Sequence, residues 1–577
     1  MTNKMAPDLD RICKLIEGRI YSHVDGFYDV FFRDMPWYKN LESLIEPASP
    51  DIVQPLSSGG SIVSLERLNT HLHSFKENEH RLYYSPTGSH QAPKTSFWLA
   101  EDRGGGSDEL EWSEVMMIGD MEDKDNPQSY QQSLANLISL AEQVFEARPT
   151  RQFLHGINIR GSAAEPWLFD RMGLYSGRPF DISKEGARLV ALLAGYSKMS
   201  YAELGMDTLI RQDHGKKYIR LSNNKSERLI LEQKPFVAPK TMLGKGVTCY
   251  KARAEGSESW EAVVKFCWKS EKEEEEVKIL RLIKERKVWG VIQLLDEGNI
   301  QSLARIHQGL TLGTPRRLFA TSKGDSTADM SLVDSQTING HSELLLSHNS
   351  TSDESRMLSY TVISPHGRHI TEYRSINEFL VVLRDAIKAH RSLYTAGRIL
   401  HRDISINNII ITEAKSSDES RGTLIDLDAA IDMTAEKPSR KTITGTKPFM
   451  AIGLLQGEEN GYRHDIESFF YVLLFSATID RKVGLPANTP LQKWMGGTWA
   501  YLANRKADDL ADPKFDEILA GFQPDFKELK GLARALRDMI LGREKVSTED
   551  DGSQMYDQII EAFDKTIAEQ SKGKAQI

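Results

Sequence analysis

Hydrophobic and polar positions divide the chain into stretches of different period. Near the start, LDRICKLIEGRI places its apolar residues at helical spacing, and the pattern breaks at SSGGS, residues 57–61. Further on, TSFWLAEDRGGGSDELEWSEVMMIGDMED puts a charged glycine loop ahead of an apolar run, Val115 to Ile118, which predicts a strand. SYQQSLANLISLAEQVFEA returns to a helical period. RQFLHGINIRG and EPWLFDRMGLYSGRPFDI then alternate apolar and polar residues between turn formers, as short strands do. These elements predict an α+β domain over residues 1–230. A second unit is predicted over 235–565, followed by a frayed tail at 566–577. Inside it, residues 320–355 are rich in Ser, Thr, Asp and Asn with weak periodicity, the signature of an inserted disordered loop. No repeat of solenoid or propeller period is present.

Composition narrows the class. A chain of 577 residues is too long for one compact core, which supports at least two domains. With 40% hydrophobic and 27% charged residues, it has no apolar run long enough to cross a bilayer, and no membrane association is expected. MTNKMAPDLDRICKLIEG becomes charged before a signal-type apolar core develops, so an intracellular address, cytoplasmic or nuclear, is expected. Three scattered cysteines, Cys13, Cys249 and Cys267, exclude a disulfide framework or a cysteine-based zinc site. A net charge of -9 gives no global attraction to nucleic acid.

The chemistry concentrates in four places. In TMLGKGVTCYKA, Gly244 and Gly246 remove Cβ atoms where backbone amides could approach phosphates. EAVVKFCWK follows, with Lys265 closing a Val-rich strand and offering a point charge to the same oxygens. A glycine pair alone is equally the mark of a tight hairpin. KSEKEEEEVKILRLIK starts an amphipathic helix whose acidic residues are mostly solvated, yet Glu276 stands beside the apolar face and is placed to turn inward onto Lys265. ILHRDISINNIIITEAKSSDESRGTLIDLDAA supplies Asp403, then Asn408, then Asp426 within an apolar strand. A carboxylate to accept a hydroxyl proton, with a carboxamide and a second carboxylate for a metal bridging phosphates, makes a phosphoryl-transfer site.

In that order these motifs resemble eukaryotic-type protein kinases, and more closely the fungal-type protein kinase family, whose catalytic loop similarly reads HRDIS followed by Asn-Ile. The resemblance covers roughly Lys240 to Phe563. It implies a bilobal α+β kinase-like fold, β-rich then helical, that follows a separate N-terminal domain. It also implies ATP and Mg²⁺ as cofactors and transfer to Ser/Thr hydroxyls of a protein substrate. Carried over by position, Lys265 would meet the α and β phosphates, held by Glu276. Asp403 would be the base, Asn408 and Asp426 the Mg²⁺ ligands, and His401 a scaffold. Arg402 would pair with a phosphate on the activation segment, at Ser439, Thr442 or Thr444. Thr361, Ile363 and Ser364 would line the adenine side, and Asp465 would brace the catalytic-loop backbone.

Departures from the pattern support a second reading, a pseudokinase or nucleotide-binding scaffold that recruits partners through its N-terminal domain. Cys249 replaces the third glycine, Asp426-Leu427-Asp428 replaces Asp-Phe-Gly, Gly453 replaces the glutamate of Ala-Pro-Glu, and Ser405 stands where a lysine is usual. A small-molecule phosphotransferase shares the metal logic, but TGTKPFMA resembles a peptide-kinase activation segment. In the N-terminal region Glu114, Asp120, Glu122 and Lys124 faintly resemble a nuclease-type metal site. A solvent-facing strand end explains them more simply, and the domain is read as a regulatory or interaction module.

Overall fold

A computed structural model describes residues 9–39, 81–84, 96–101, 111–122, 126–222, 227–270, 275–315, 356–414, 416, 418–435, 444–487, 489–542 and 553–574. The first part of the chain builds α1 (Leu9–Ile16), β1 (Ile20–Tyr21), β2 (Arg81–Tyr84), β3 (Ser96–Glu101) and β4 (Val115–Glu122). It continues with α2 (Pro127–Ala147), β5 (Phe153–Arg160), β6 (Ala163–Asp170), β7 (Leu174–Ser176), β8 (Phe180–Asp181) and α3 (Gly186–Lys198). The strands form one sheet in the order β1-β7-β6-β5-β4-β3-β2, with β8 also on β6. β4 and β5 pair in parallel because α2 carries the chain back between them. Asn126 starts that helix by accepting from Ser129 N, with Pro127 in the first turn, where a missing N–H costs nothing. β5 is buried at every position, as a strand covered on both faces must be.

The second sheet takes β9 (Arg211–Asp213), β10 (Lys216–Arg220), β11 (Arg228–Leu231), β12 (Thr248–Ala254), β13 (Ala262–Ser270), β14 (Gln293–Ser302) and β15 (Arg356–Ser364). Its order is β14-β15-β13-β12-β11-β10-β9. The boundary expected near residue 230 therefore falls between hydrogen-bonded neighbours, since Leu231 pairs with Ala252. Apolar packing crosses it as well. Trp268 and Leu358 from the second sheet share a core with Phe153, Leu168 and Leu193 of the first.

Beyond β15 the chain is mainly helical. The long members are α5 (Ile376–Thr395), α6 (Tyr462–Thr478), α7 (Trp499–Leu510), α8 (Lys530–Leu541) and α9 (Ser553–Lys574), with α4 (Glu275–Glu285) lying earlier, after β13. α6 is apolar almost all round and lies at the centre of a core that also takes in Leu383, Ile409, Leu424 and Phe526. The tail expected from 566 is instead the end of α9, which runs to Lys574. Met555, Ile559, Ile560 and Phe563 are buried at helical spacing and Ile567 packs on the same core, so the helix is anchored well past its start. The insertion expected at 320–355 lies outside the described residues. No described helix is long and apolar enough to cross a membrane.

Candidate active site

Lys265 lies in the middle of β13, where Cys249 of β12 and Thr361 of β15 are its direct cross-strand partners. Directly paired residues project from the same face, so these three share one side of the sheet. Thr361 is buried. Ile363 and Ser364 end the same strand, and Ser364 Oγ donates to Glu261 O at 2.9 Å. Glu276, in the first turn of α4, accepts from Lys265 Nζ at 2.9 and 3.2 Å and from Lys269 Nζ at 2.7 Å. The inward turn of Glu276 follows from the helix register, which aims Ile279, Leu280 and Ile283 into the core.

Asp428 completes this cluster, its Oδ1 3.6 Å from Lys265 Nζ. Burial would depress Lys265, but the carboxylates of Glu276, Asp428 and Asp426 outweigh it and hold the ammonium charged, above its usual range. Burial would likewise raise Glu276, and the two ammonium groups pull it down to about 2. Asp428 goes the other way: burial and the charge of Glu276 outweigh the attraction of Lys265 and push it up to about 6.

The catalytic-loop stretch is organised by hydrogen bonds instead. Asp465, buried in the first turn of α6, accepts from His401 N at 3.2 Å, from Arg402 N at 3.1 Å and from His390 Nε2 at 2.9 Å. Burial would raise its pKa, but these donors outweigh it and keep the carboxylate ionised. The brace fixes Arg402 at φ 68°, a left-handed conformation that turns the chain sharply into Asp403. Arg402 is buried and its guanidinium lies near Ala429 O, while His401 is buried and contacts Ile425 O through Nε2. Of the residues expected to meet Arg402 through a phosphate, Ser439 and Thr442 lie outside the described residues, and Thr444 is half-buried.

Asn408 Nδ2 donates to Asp403 O at 2.8 Å and to Asp403 Oδ2 at 3.1 Å, which ties the carboxamide to the carboxylate across the loop. Asp403 Oδ1 accepts from Thr446 N at 2.9 Å and Thr446 Oγ1 at 2.7 Å. Nothing local in the sequence marks Thr446. TITGT offers three threonines, and only the fold shows which faces Asp403.

A second missed feature supports Thr446. Lys506, fully buried, donates to Pro448 O at 2.9 Å and Met450 O at 2.5 Å and lies over the rings of Tyr471 and Trp494. Glu467, also buried, accepts from Ile452 N at 2.7 Å. Together they hold the segment after Thr446 where Gly453 provides no carboxylate of its own. A side chain at Gly453 would run into Glu458 and His464.

For a hard divalent cation the described residues offer one close group: carboxylate oxygens of Glu276, Asp426 and Asp428 lie within 4.8 Å of one another. Oxygen donors of this kind fit Mg²⁺. Asp426, just past the strand that ends at Leu424, adopts φ 62°, a left-handed conformation that costs energy for a residue other than glycine. Ser405 is buried, and its Oγ has no hydrogen-bond partner among the described residues. Gly244 and Gly246 both adopt positive φ, at 110° and 57°, but the turn they form packs on Arg171 of the first sheet.

Of the N-terminal acidic group, Lys124 lies outside the described residues. Asp120 is buried and accepts from Ser96 at 3.0 Å, Ser133 at 2.6 Å and Asn136 at 3.4 Å. That is a polar network closed over by α2. Glu114 belongs to the short turn before β4, and Glu122 ends that strand half-buried.

Comparison with known families finds a match: the family described as fungal protein kinase fits residues 97–477, well over half of the chain, a span that takes in the first sheet from β3 onward, the whole second sheet and the Lys265–Asp426 constellation. No curated protein matches the chain.

Proposed function

Starting from the fact that the chain belongs to the fungal protein kinase family, we propose that it transfers the γ-phosphate of ATP to Ser or Thr hydroxyls of protein substrates with Mg²⁺ as cofactor. The observation that carries this reading is the convergence on Asp403. One carboxylate oxygen takes two hydrogen bonds from Thr446 and the other takes one from Asn408. A carboxylate fixed in this way presents a constant face to an incoming hydroxyl and accepts its proton as the phosphoryl group leaves ATP.

Lys265, held by Glu276, meets the phosphate oxygens as a fixed positive charge. Asn408 and Asp426 would hold the Mg²⁺, and Asp428, whose carboxylate lies close to that of Asp426, would offer a further oxygen. When bound, the ion neutralises charge on the β and γ phosphates. Thr361, Ile363 and Ser364 line the adenine side, and Gly244 and Gly246 form the nucleotide loop. Arg402, its backbone fixed by Asp465, supports the turn that presents Asp403. The N-terminal region acts as a regulatory or interaction module within a cytoplasmic or nuclear protein.

A scaffold that binds nucleotide without transferring phosphate has one observation in its favour. Asp428 Oδ1 lies 3.6 Å from Lys265 Nζ and competes with phosphate oxygens for that ammonium. Transfer of labelled γ-phosphate from Mg-ATP to the protein itself and to a basic acceptor protein decides between the two. Incorporation by wild type that disappears in Asp403→Asn is the expected result. Nucleotide binding without incorporation by either protein selects the scaffold.

A further inference from the structure

The turn that carries Gly244 and Gly246 belongs to the second sheet by chain order, yet the first sheet holds it. Arg171, at the end of β6, is completely buried and donates to Thr241 O at 3.1 Å, Met242 O at 2.9 Å and Pro149 O at 2.6 Å. Its own carbonyl accepts from Gly244 N at 2.8 Å. Its guanidinium lies 4.8 Å from the Phe145 ring, and its Nε is 3.0 Å from where a Cβ on Gly246 would stand. Met242 and Leu243 bury their side chains in the first sheet's core, among Ile138, Trp167 and Phe169. Lys245, between the two glycines, gives its carbonyl to Trp268 N at 2.8 Å.

We propose that this contact is a latch: the N-terminal sheet holds the nucleotide loop through Arg171, and the loop closes on ATP only after the latch opens, so that the N-terminal region sets nucleotide affinity. The inference rests on reading Gly244 and Gly246 as the nucleotide loop. A backbone N–H has one hydrogen to donate, so the Gly244 amide serves either the Arg171 carbonyl or a phosphate oxygen. Two of the three carbonyls that the buried guanidinium donates to, Thr241 O and Met242 O, lie in the segment leading into the loop, and a half-open arrangement would leave Nη1 without an acceptor while Nη2 stays on Pro149 O, which favours two discrete states over a gradual shift. Other joints keep the sheets together when the loop leaves. Asp170 receives His307 Nε2 at 2.8 Å, and Thr311 N donates to Asp25 O at 3.0 Å.

The test is Mg-ATP binding to the full chain by titration calorimetry, for wild type, Leu243→Ser and Arg171→Gln, with thermal melting to confirm folding. Opening the latch removes the penalty carried by a loop that is mostly held shut, and roughly tenfold tighter binding is expected for Leu243→Ser. Hydrogen exchange at Met242–Gly246 should rise in that variant without nucleotide and fall again when Mg-ATP is added. Unchanged or weaker binding by folded Leu243→Ser, with wild type binding normally, overturns the latch and leaves the nucleotide site standing. If neither wild type nor variant binds Mg-ATP, the nucleotide reading falls and the latch with it. Should Arg171→Gln fail to fold, Leu243→Ser alone carries the decision, because it alters only the loop's side of the contact.

Discussion

The surroundings of Lys265 and of Asp403 are built on opposite principles. Around Lys265, full charges balance one another: two ammonium groups against Glu276, with Asp428 and Asp426 close by. Around Asp403 the partners are dipoles, namely the Thr446 amide and hydroxyl and the Asn408 carboxamide. Behind it, the buried carboxylate of Asp465 grips backbone amides. Charge balance is sensitive to pH and adapts when another charged group arrives, which suits a place where phosphates and a cation must enter. Hydrogen bonds from fixed dipoles hold direction and keep the proton acceptor in one orientation.

Asp426 stands where the two regions meet, and Asp426→Asn should have the largest effect. Mg-ATP turnover is expected to fall on the order of a thousand-fold in initial-rate assays while the melting temperature stays near that of wild type. Turnover at the wild-type level would remove Asp426 from the metal set.

Next in size is the brace. Asp465→Ala leaves the buried amides of His401 and Arg402 and the His390 ring without their acceptor, and a loss of about 3–5 kcal/mol is expected in urea denaturation. A loss under 1 kcal/mol would mean that the catalytic loop holds its own shape.

Thr446→Val tests direction without charge. One hydrogen bond to an ionised group is worth about 1.5–3 kcal/mol, so kcat should drop roughly ten- to a hundred-fold with little change in KM for ATP. An equal rise in that KM would place Thr446 with nucleotide binding instead.

The smallest effect belongs to the charged side. Asp428 has its pKa raised from 3.8 to about 6, so between those values the native state holds a proton that the unfolded chain releases. Wild-type stability from this group therefore falls as pH rises through that window and stays lower above it. Asp428→Asn removes the penalty. With half of the side chain exposed and screened by solvent, a gain of about 1 kcal/mol at pH 7 is expected, vanishing below about pH 4. A gain that persists at pH 4 would show that packing, and not charge, is responsible.

Much of the constellation was legible in the chain because its spacing is local. Asp403 to Asn408 is one turn of a loop, and Glu276 opens a helix whose apolar stripe fixes which way it faces. Thr446, Lys506 and Glu467 were not legible, because each acts on a segment distant in sequence and carries no pattern of its own. The helical state of the chain end is not visible locally for a related reason: α9 gains its stability from contacts such as Tyr556 with His390, which lie outside any local window.

What the sequence determined by itself was the order and type of the chemical groups, since residue identity and short spacing decide which bonds a side chain is able to make. What only the tertiary structure decided was their balance. Asp428 lies against Lys265, Thr446 against Asp403, and the Gly244 turn against Arg171, because closing long stretches of chain brings these groups together, and the free energy that closes them comes from cores shared across the whole molecule.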